Sequence, residues 1–260
     1  MPRIFDFTDA IVRRPGASVV KGLRAGGGDD PSLAGVLAEH AGYVAALRAA
    51  GLAVQELDPL EDFPDAIFVE DPALVFTEGA ILLRPGAPTR LSEGQFLRDT
   101  LRSRFARVLE QVDGFADGGD VLVMPDRAWI GLSARTDRTG AAALGLLLEE
   151  LGLRWQVAET PPEVLHLKTA SSLVDEETVL ATAPLAASGI FASYRVLEVP
   201  AGEEGGANVL RVRETLLVGS GYPRLAEMLD GCGASVVVLP NAEIAKIDAG
   251  FTCMSLRWRA

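Results

Sequence analysis

The side chains best suited to nucleophilic chemistry are scarce in this sequence: two cysteines, Cys232 and Cys253, and two histidines, His40 and His166. A thiol that attacks an electrophile works with an acid/base partner, and histidine is the commonest one. Only four cysteine–histidine pairs are therefore available. The same scarcity argues against a disulfide framework or a Cys/His zinc cluster, and we expect no metal.

The sequence around each residue separates these candidates. Cys232 lies in DGCGAS between a predicted helix and a predicted strand, which favours a small buried hydrophobic residue. His40 lies within the helical pattern AEHAGYVAAL, which favours a structural or exposed residue. Cys253 in DAGFTCMSL and His166 in LHLKTASS each stand at the entry to a predicted strand. The favoured pair is Cys253 with His166.

The predicted elements recur in one order: two short β-runs, a helix and a third strand. We count five such units, spaced by roughly 40–50 residues, a period typical of a propeller or an array. The last run, FTCMSLRW (251–258), has no partner after it, so we pair it with FTDAIVR (7–13) at the other end of the chain. The sequence thus predicts an α/β ring closed by its two ends, in one domain over 1–260. An ordinary mixed α/β sheet is the alternative.

Several local boundaries are predicted as well. Asp30 should cap the first helix, with Pro31 in its first turn. AIFVEDPALVF (66–76) and AILLR (80–84) should form a hairpin. A capping box at Ser92 and Gln95 should begin the next helix. The Gly-rich tract at 25–28 is a candidate mobile lid.

The segments that precede each hairpin can be aligned as FPDAIFVED, FADGGDVLV, LHLKTASSLV, GGANVLRV and DAGFTCMSL. In a five-unit ring, equivalent positions meet around one axis. Catalytic groups are recognised by such convergence in space rather than by adjacency in sequence. The alternative is that DGGD (117–120) is a simple turn and that the acids of VED (69–71) are solvated. The alignment brings the following residues together: Asp65, Glu70, Asp71, Asp117, Asp120, His166 and Cys253.

Charge and hydropathy exclude several classes of partner. Lys and Arg number 24 against 36 Asp and Glu, a net charge of −12 that repels phosphate backbones and anionic membranes. No apolar run approaches the roughly 18 residues of a membrane span. The N-terminus MPRIFDFTDAIVRRPG does not match a signal peptide. We expect a cytoplasmic monomer or homodimer with no nucleic-acid or membrane partner.

Six motifs carry a resemblance that covers nearly the whole chain: PDAIFVED (64–71), RPGAPTR (84–90), DGGDVL (117–122), GLSART (131–136), LHLKTASS (165–172) and KIDAGFTCMS (246–255). Together they resemble the dimethylarginine dimethylaminohydrolases of the guanidino-group-modifying (pentein) superfamily, whose fold is a five-bladed pseudo-symmetric α/β propeller. The resemblance implies hydrolysis of N-omega-methylated L-arginine to L-citrulline and an amine, through a thiouronium adduct and without a cofactor.

The same resemblance implies roles for individual residues. Cys253 would be the nucleophile, His166 the acid/base, and Asp117 the acid that orients His166. The implied substrate contacts are Leu23, Asp65, Glu70, Asp71, Arg90, Arg135 and the backbone of Ile247. A guanidinium fork pairs with a carboxylate in bidentate fashion, so Arg90 and Arg135 would hold the substrate carboxylate.

Two other functions stay open at this point. Arginine and agmatine deiminases resemble the chain in fold and nucleophile, but they are generally longer and typically carry an acid where this sequence has Lys168. The ribosome anti-association factors are non-catalytic five-fold propellers. They would need no convergent Cys, His and acids, and a charge of −12 suits RNA binding poorly.

Overall fold

The computed structural model describes residues 3–24 and 27–260 of the chain. Ala25 and Gly26 of the predicted lid tract lie outside the described residues, so that expectation stays a prediction.

Short strands alternate with helices along the chain. The strands are β1 (Asp9–Arg13), β2 (Ala53–Leu57), β3 (Ala73–Phe76), β4 (Gly79–Leu82), β5 (Val108–Glu110), β6 (Val121–Val123), β7 (Ala128–Leu132), β8 (Trp155–Glu159), β9 (Ser171–Leu173), β10 (Thr178–Ala181), β11 (Arg195–Glu198), β12 (Leu210–Val212), β13 (Thr215–Gly219), β14 (Ser235–Leu239) and β15 (Leu256–Trp258). The α-helices are α1 (Leu33–Ala49), α2 (Gln95–Arg104), α3 (Arg138–Glu150), α4 (Ala183–Ala187), α5 (Pro223–Asp230) and α6 (Ala242–Ala245).

The strands form separate three-stranded sheets rather than one mixed sheet. Their orders are β15-β1-β2, β3-β4-β5, β6-β7-β8, β9-β10-β11 and β12-β13-β14. In each sheet the first two strands are antiparallel, and the third returns parallel to the second after a helix. The ends of the chain close the ring, because β15 pairs with β1 in the register Ala10↔Arg257. The predicted five-unit propeller is confirmed, and the single mixed sheet is wrong.

Apolar packing joins neighbouring sheets around the ring. Within the described residues, hydrophobic side chains form five clusters, and each cluster combines two adjacent sheets. The cluster that closes the ring packs Val12 of β1 and Leu47 of α1 against Leu217 of β13, all fully buried. Since every interface buries apolar surface, the ring is held at each joint and not only by its chain ends.

The third strand of each sheet is the most exposed one, and the first two strands are mostly buried. All four residues of β4 and of β10 are buried, whereas the outer strand β14 alternates between exposed and half-buried residues. Continuous apolar runs such as Val179–Leu180–Ala181 suit a strand that is covered on both faces. First strands of neighbouring sheets contact each other, as β15 contacts β3 and β12 contacts β9, so the residues just before them come together.

Some predicted boundaries are wrong. Helix α1 begins at Leu33, and its N-cap is Ser32, whose side chain accepts the N–H of Gly35 at 3.4 Å. Helix α2 begins at Gln95 after Gly94, which supplies no side-chain cap, so there is no capping box at Ser92.

A further difference concerns the predicted strand over 66–76, of which only Ala73–Phe76 is extended. The residues before it form consecutive turns, in which the Phe68 N–H donates to the Asp65 carbonyl at 2.9 Å and the Asp71 N–H to the Phe68 carbonyl at 3.3 Å. These turns, rather than a pleat, direct the acidic side chains toward the axis. Across the described residues, no helix has the length and apolar character needed to cross a membrane.

Candidate active site

Cys253 lies in a turn just before β15, and several contacts hold that turn in place. The Tyr43 hydroxyl donates to the Phe251 carbonyl at 2.8 Å, and the two rings stack with centroids 5.8 Å apart. On the other side, the Glu70 N–H donates to the Cys253 carbonyl at 3.2 Å. Tyr43 is fully buried, so the turn is anchored to the interior through α1. The position of the thiol is therefore set by the fold before any ligand arrives.

The thiol itself is almost inaccessible, with Cys253 7% exposed. Burial, together with the negative charges of Asp71 and Glu70, raises the pKa of Cys253 to about 11. The backbone N–H of Gly250 and the charge of Lys168 act in the opposite direction but do not outweigh them. The thiol is therefore protonated at neutral pH. The acidic surroundings expected from the sequence contribute to this rise, but burial is the largest cause.

His166 and Asp117 form the predicted pair. Nε2 of the imidazole lies 3.1 Å from Oδ2 of Asp117, whose Oδ1 accepts the Gly86 N–H at 2.8 Å. Burial alone would lower the pKa of His166, but the hydrogen bond to Asp117 and the charges of Asp120 and Asp71 raise it to about 9. His166 is thus an imidazolium at neutral pH. Because Asp117 occupies Nε2, Nδ1 is the nitrogen left to exchange a proton with a ligand.

The segment DGGD (117–120) is more than a turn, because its glycines permit close packing at the centre of the site. A Cβ on Gly118 would lie 1.9 Å from the Glu70 carbonyl oxygen. A Cβ on Gly119 would lie 3.0 Å from both Asp71 Oδ1 and His166 Nδ1. Side chains at these positions would push the acids and the imidazole apart.

Asp120 accepts hydrogen bonds that hold the segment carrying His166 in place. Its Oδ1 accepts the Leu167 N–H at 2.9 Å, and its Oδ2 accepts the hydroxyls of Ser133 at 2.6 Å and Thr136 at 2.7 Å. Burial raises the pKa of Asp120, although these hydrogen bonds and the charge of His166 oppose that rise. The carboxylate therefore ties three segments of the chain together beside His166.

The two acids of the VED motif have different partners. Glu70 is paired with Lys168 and Arg257, each at 2.8 Å. Burial would raise the pKa of Asp71, but the charges of Arg90 and His166 outweigh burial and lower it. Oδ2 of Asp71 is bound by Arg90, whereas Oδ1 is buried and has no hydrogen-bond partner among the described residues. A buried carboxylate oxygen left in this state is a ready acceptor for a cationic N–H group.

Arg90 is engaged with partners inside the protein. It is 4% exposed, and its guanidinium donates to the carboxylates of Asp71 and Glu93 and to the carbonyls of Asp65 and Phe68. Each nitrogen of its guanidinium makes at least one of these hydrogen bonds. Its role as a contact for the substrate carboxylate stays a prediction. Its contacts fix the turns that carry Asp65 and Asp71.

Arg135 remains available at the edge of the site. It is half-buried, its backbone N–H donates to the Ser133 hydroxyl at 3.0 Å, and its guanidinium has no partner within the described part of the chain. Burial raises the pKa of Asp65, and the charges of Arg90 and Arg135 oppose that rise. Arg135 is thus close enough to Asp65 for the two charges to interact.

Leu23 and Ile247 lie beside Asp65, as the predicted site requires. The Leu23 N–H donates to Asp65 Oδ1 at 2.8 Å. A Cβ on Gly22 would lie 3.2 Å from both Asp65 Oδ1 and the Ile247 side chain. Together with Arg135, whose charge acts on Asp65, these residues surround the Asp65 carboxylate.

The predictions did not assign roles to four buried polar residues of the site: Glu93, Lys168, Asn208 and Arg257. Asn208 lies in GGANVLRV, one of the five aligned segments, so its position was a usable signal. Glu93 stands three residues after Arg90, which is the spacing of a helical ion pair. Nothing in the sequence marks Arg257 as the partner of Glu70. Among the described residues, no group of three or more His, Cys, Asp and Glu side chains is arranged to hold a metal ion.

The structural roles expected for Cys232 and His40 agree in part with the structure. Cys232 is half-buried, and its thiol faces the Met228 carbonyl at 3.8 Å. His40 is buried in α1, and burial lowers its pKa to about 4, so it is a neutral structural residue.

A buried thiol, an imidazolium held by a carboxylate and an acidic pocket on a five-unit α/β ring define a guanidino-group-modifying enzyme of the pentein class. The family model for eukaryotic N,N dimethylarginine dimethylhydrolase matches residues 29–166. The chain is 34% identical to the N(G),N(G)-dimethylarginine dimethylaminohydrolase of Pseudomonas aeruginosa, over 97% of this chain and 100% of that protein. It is 35% identical to the enzyme of the same name from Streptomyces coelicolor, over 96% of both chains. The chain belongs to the dimethylarginine dimethylaminohydrolase family.

Solved structures agree with this assignment. A Cys-to-Ser mutant of the Pseudomonas aeruginosa enzyme, complexed with citrulline, superposes with a TM-score of 0.94 over 97% of this chain and 100% of that one, at 34% identity. The N-terminal domain of ArgZ, a cyanobacterial arginine dihydrolase, superposes with a TM-score of 0.86 over 97% of both chains. At 19% identity this second likeness concerns the fold alone.

The two histidines provide an internal comparison for the electrostatics of the site. In an NMR titration we expect His166 to titrate near pH 9 and His40 to stay neutral down to about pH 4. Asp117→Asn removes the charge that favours the imidazolium, so it should lower the pKa of His166 by about 1–3 pH units and leave His40 unmoved. Two histidines that both titrate near 6.5 would contradict this description of the site.

Proposed function

We propose that this protein hydrolyses N-omega-methylated L-arginine, both asymmetric dimethylarginine and monomethylarginine, to L-citrulline and dimethylamine or methylamine, as one catalytic domain over 1–260. The observation that carries the proposal is that Asp71, whose Oδ1 has no hydrogen-bond partner among the described residues, lies close to both the Cys253 thiol and the His166 imidazolium. Membership of the family and the citrulline held by a relative at 34% identity support it.

Substrate binding begins with the guanidinium. Asp71 Oδ1 accepts one of its N–H groups, and Glu70 adds negative charge beside it. The cation reverses the local sign of charge around Cys253. The thiolate is then favoured, and the thiol loses its proton to water, so the substrate activates its own nucleophile.

The chemistry proceeds in two stages. The sulfur attacks the guanidinium carbon, and His166 donates the Nδ1 proton to the departing amine, which leaves a thiouronium adduct on Cys253. The imidazole, now neutral, accepts a proton from a water molecule whose oxygen attacks the same carbon. The C–S bond then breaks, and the remaining proton of the attacking oxygen passes to the sulfur. Citrulline is released, Cys253 is again a thiol and His166 is again protonated. Asp117 holds the ring and stabilises its cationic form throughout.

The other end of the substrate carries a carboxylate and an ammonium group. Arg135, whose guanidinium has no hydrogen-bond partner among the described residues, is the principal contact for the carboxylate. Asp65 and the backbone of Leu23 and Ile247 surround the ammonium group. Arg90 acts at this end indirectly, because its fork is occupied in holding Asp65 and Asp71 in position.

A deiminase is the main enzymatic rival. Lys168 stands where those enzymes typically carry an acid, and its ammonium is paired with Glu70. Without that acid, the pocket has one fewer acceptor for an unsubstituted nitrogen and retains room for methyl groups. The two functions can be distinguished by measuring the release of citrulline and amine from each candidate substrate. The candidates are asymmetric dimethylarginine, monomethylarginine, arginine and agmatine. Faster turnover of arginine than of both methylarginines would favour a deiminase.

We further propose that the enzyme acts in the cytoplasm as a monomer or a homodimer. The net charge of −12 keeps it away from anionic membranes and nucleic acids. Light scattering on the purified protein gives the subunit count, and a larger assembly would contradict this proposal.

The assignment of the nucleophile can be tested with the second cysteine as a matched control. Cys253→Ser should lower kcat for asymmetric dimethylarginine by more than about 1000-fold, since the attacking thiolate is lost. Cys232→Ser, away from the pocket, should stay within about 2-fold of the parent. An equal loss of kcat in the two variants would contradict the assignment of Cys253 as the nucleophile.

The carboxylate contact can be tested with a neighbouring arginine as the control. Arg135→Ala should raise KM for asymmetric dimethylarginine by about 10- to 100-fold, the value of a hydrogen bond to a charged group. Agmatine lacks the carboxylate, so its turnover should be poor and little changed by this substitution. Arg138→Ala, which removes an exposed ion pair with Glu159, should leave KM unchanged. An unchanged KM in Arg135→Ala would refute the contact.

A further inference from the structure

Asn208 touches the sulfur of Cys253, although neither the sequence motifs nor the family roles assign it a function. It lies just before β12, is 6% exposed, and comes from the one sheet that contributes no predicted site residue. Its Nδ2 donates to Cys253 Sγ at 3.6 Å, and its Oδ1 accepts the Thr252 N–H at 3.0 Å. One amide therefore binds both the thiol and the turn that carries it.

The neighbouring backbone fixes which end of the amide faces the sulfur. The N–H of Thr252 can only donate, so the amide oxygen must face it, and the NH₂ group is left toward Sγ. Gly250 makes room for this arrangement, because a Cβ there would lie 2.3 Å from Cγ of Asn208. The backbone N–H of Gly250 also acts to lower the pKa of Cys253. The side-chain N–H of Asn208 is the donor that contacts the sulfur directly.

The N–H of Asn208 matters because the carboxylates near Cys253 disfavour a negative charge on its sulfur. The charges of Asp71 and Glu70 raise the pKa of the thiol, and Lys168, whose charge lowers it, is already paired with Glu70. A hydrogen bond to a charged acceptor is worth roughly twice a neutral one, so an N–H aimed at Sγ favours the thiolate over the thiol.

We propose that Asn208 is a catalytic hydrogen-bond donor that stabilises the Cys253 thiolate and aims it at the guanidinium carbon. This inference rests on the proposed role of Cys253 as nucleophile. A donor that acts on the sulfur changes thiol reactivity and kcat, whereas a residue that only anchors the turn changes stability and the affinity for substrate.

Two substitutions separate these roles. Asn208→Ala removes both hydrogen bonds. Asn208→Asp keeps an oxygen for the Thr252 N–H but presents no N–H to the sulfur. Asn241→Ala is a matched control, since it removes another buried asparagine that lies in the cap of α6. Each variant is made in the Cys232→Ser background, and unfolding midpoints are recorded for all of them.

The first readout is alkylation of Cys253 by iodoacetamide across pH, which requires no substrate. Both Asn208 variants should shift the alkylation pKa upward and slow alkylation at pH 8 by about 10-fold or more, the effect of losing one hydrogen bond to a charged group. The second readout is steady-state turnover of asymmetric dimethylarginine, in which kcat should fall by about 10-fold or more while KM changes by less than about 3-fold. Asn241→Ala should match the parent in both.

An alkylation profile of Asn208→Ala that coincides with that of the parent overturns the inference. So does an Asn208→Asp variant that alkylates and turns over at the parental rate, because the amide then only anchors the turn. Should Asn208→Ala fail to fold, the isosteric Asn208→Asp still decides. Failure of the proposed function is distinguishable, since it appears as absent turnover in the parent while the alkylation comparison remains valid.

Discussion

Burial of several carboxylates around one axis is the constraint on which the rest of the structure depends. An isolated buried charge is costly, so each must be paired or hydrogen-bonded. The described residues meet this demand through Arg90, Lys168, Arg257 and His166 and through backbone N–H groups. Oδ1 of Asp71 is buried and has neither a hydrogen-bond nor an ion-pair partner among the described residues. The buried carboxylates are Asp65, Glu70, Asp71, Asp117 and Asp120.

The five-unit ring brings these groups together from distant parts of the sequence. His166 and Asp117 are 49 residues apart, and Asn208 and Cys253 are 45 apart, yet each pair is in contact. The turns before the short inner strands carry the side chains, and the apolar clusters between sheets hold the turns at a fixed radius. A site on rigid elements loses little free energy to ordering when a ligand binds.

Much of this was predictable because it follows from periodicity. Five repeats of one element order predict a ring, and the unpaired final run predicts closure by β1 and β15. Equivalent positions predict that His166 and Asp117 converge, and the family resemblance predicts that the two side chains pair. The start of α1 was harder to predict from the sequence, because Asp30 and Ser32 are both good N-cap residues and only packing decides between them. The partners of a buried arginine are also set by tertiary structure, so the sequence did not predict that Asp71 and Glu93 bind Arg90. The sequence did not single out Asn208, because the function of a neutral amide depends on the groups that it contacts in the folded structure.

The central claim is that the resting enzyme holds Cys253 as a thiol beside an imidazolium, and that the positive charge of the substrate produces the thiolate. The most direct measurement is the pH dependence of Cys253 alkylation in the Cys232→Ser background, with a neutral reagent compared with a cationic amidine. We predict a pKa above about 8.5 for the neutral reagent and far faster alkylation by the amidine at neutral pH. A pKa of about 6 or lower with the neutral reagent, as for a resting thiolate–imidazolium pair, would contradict the claim.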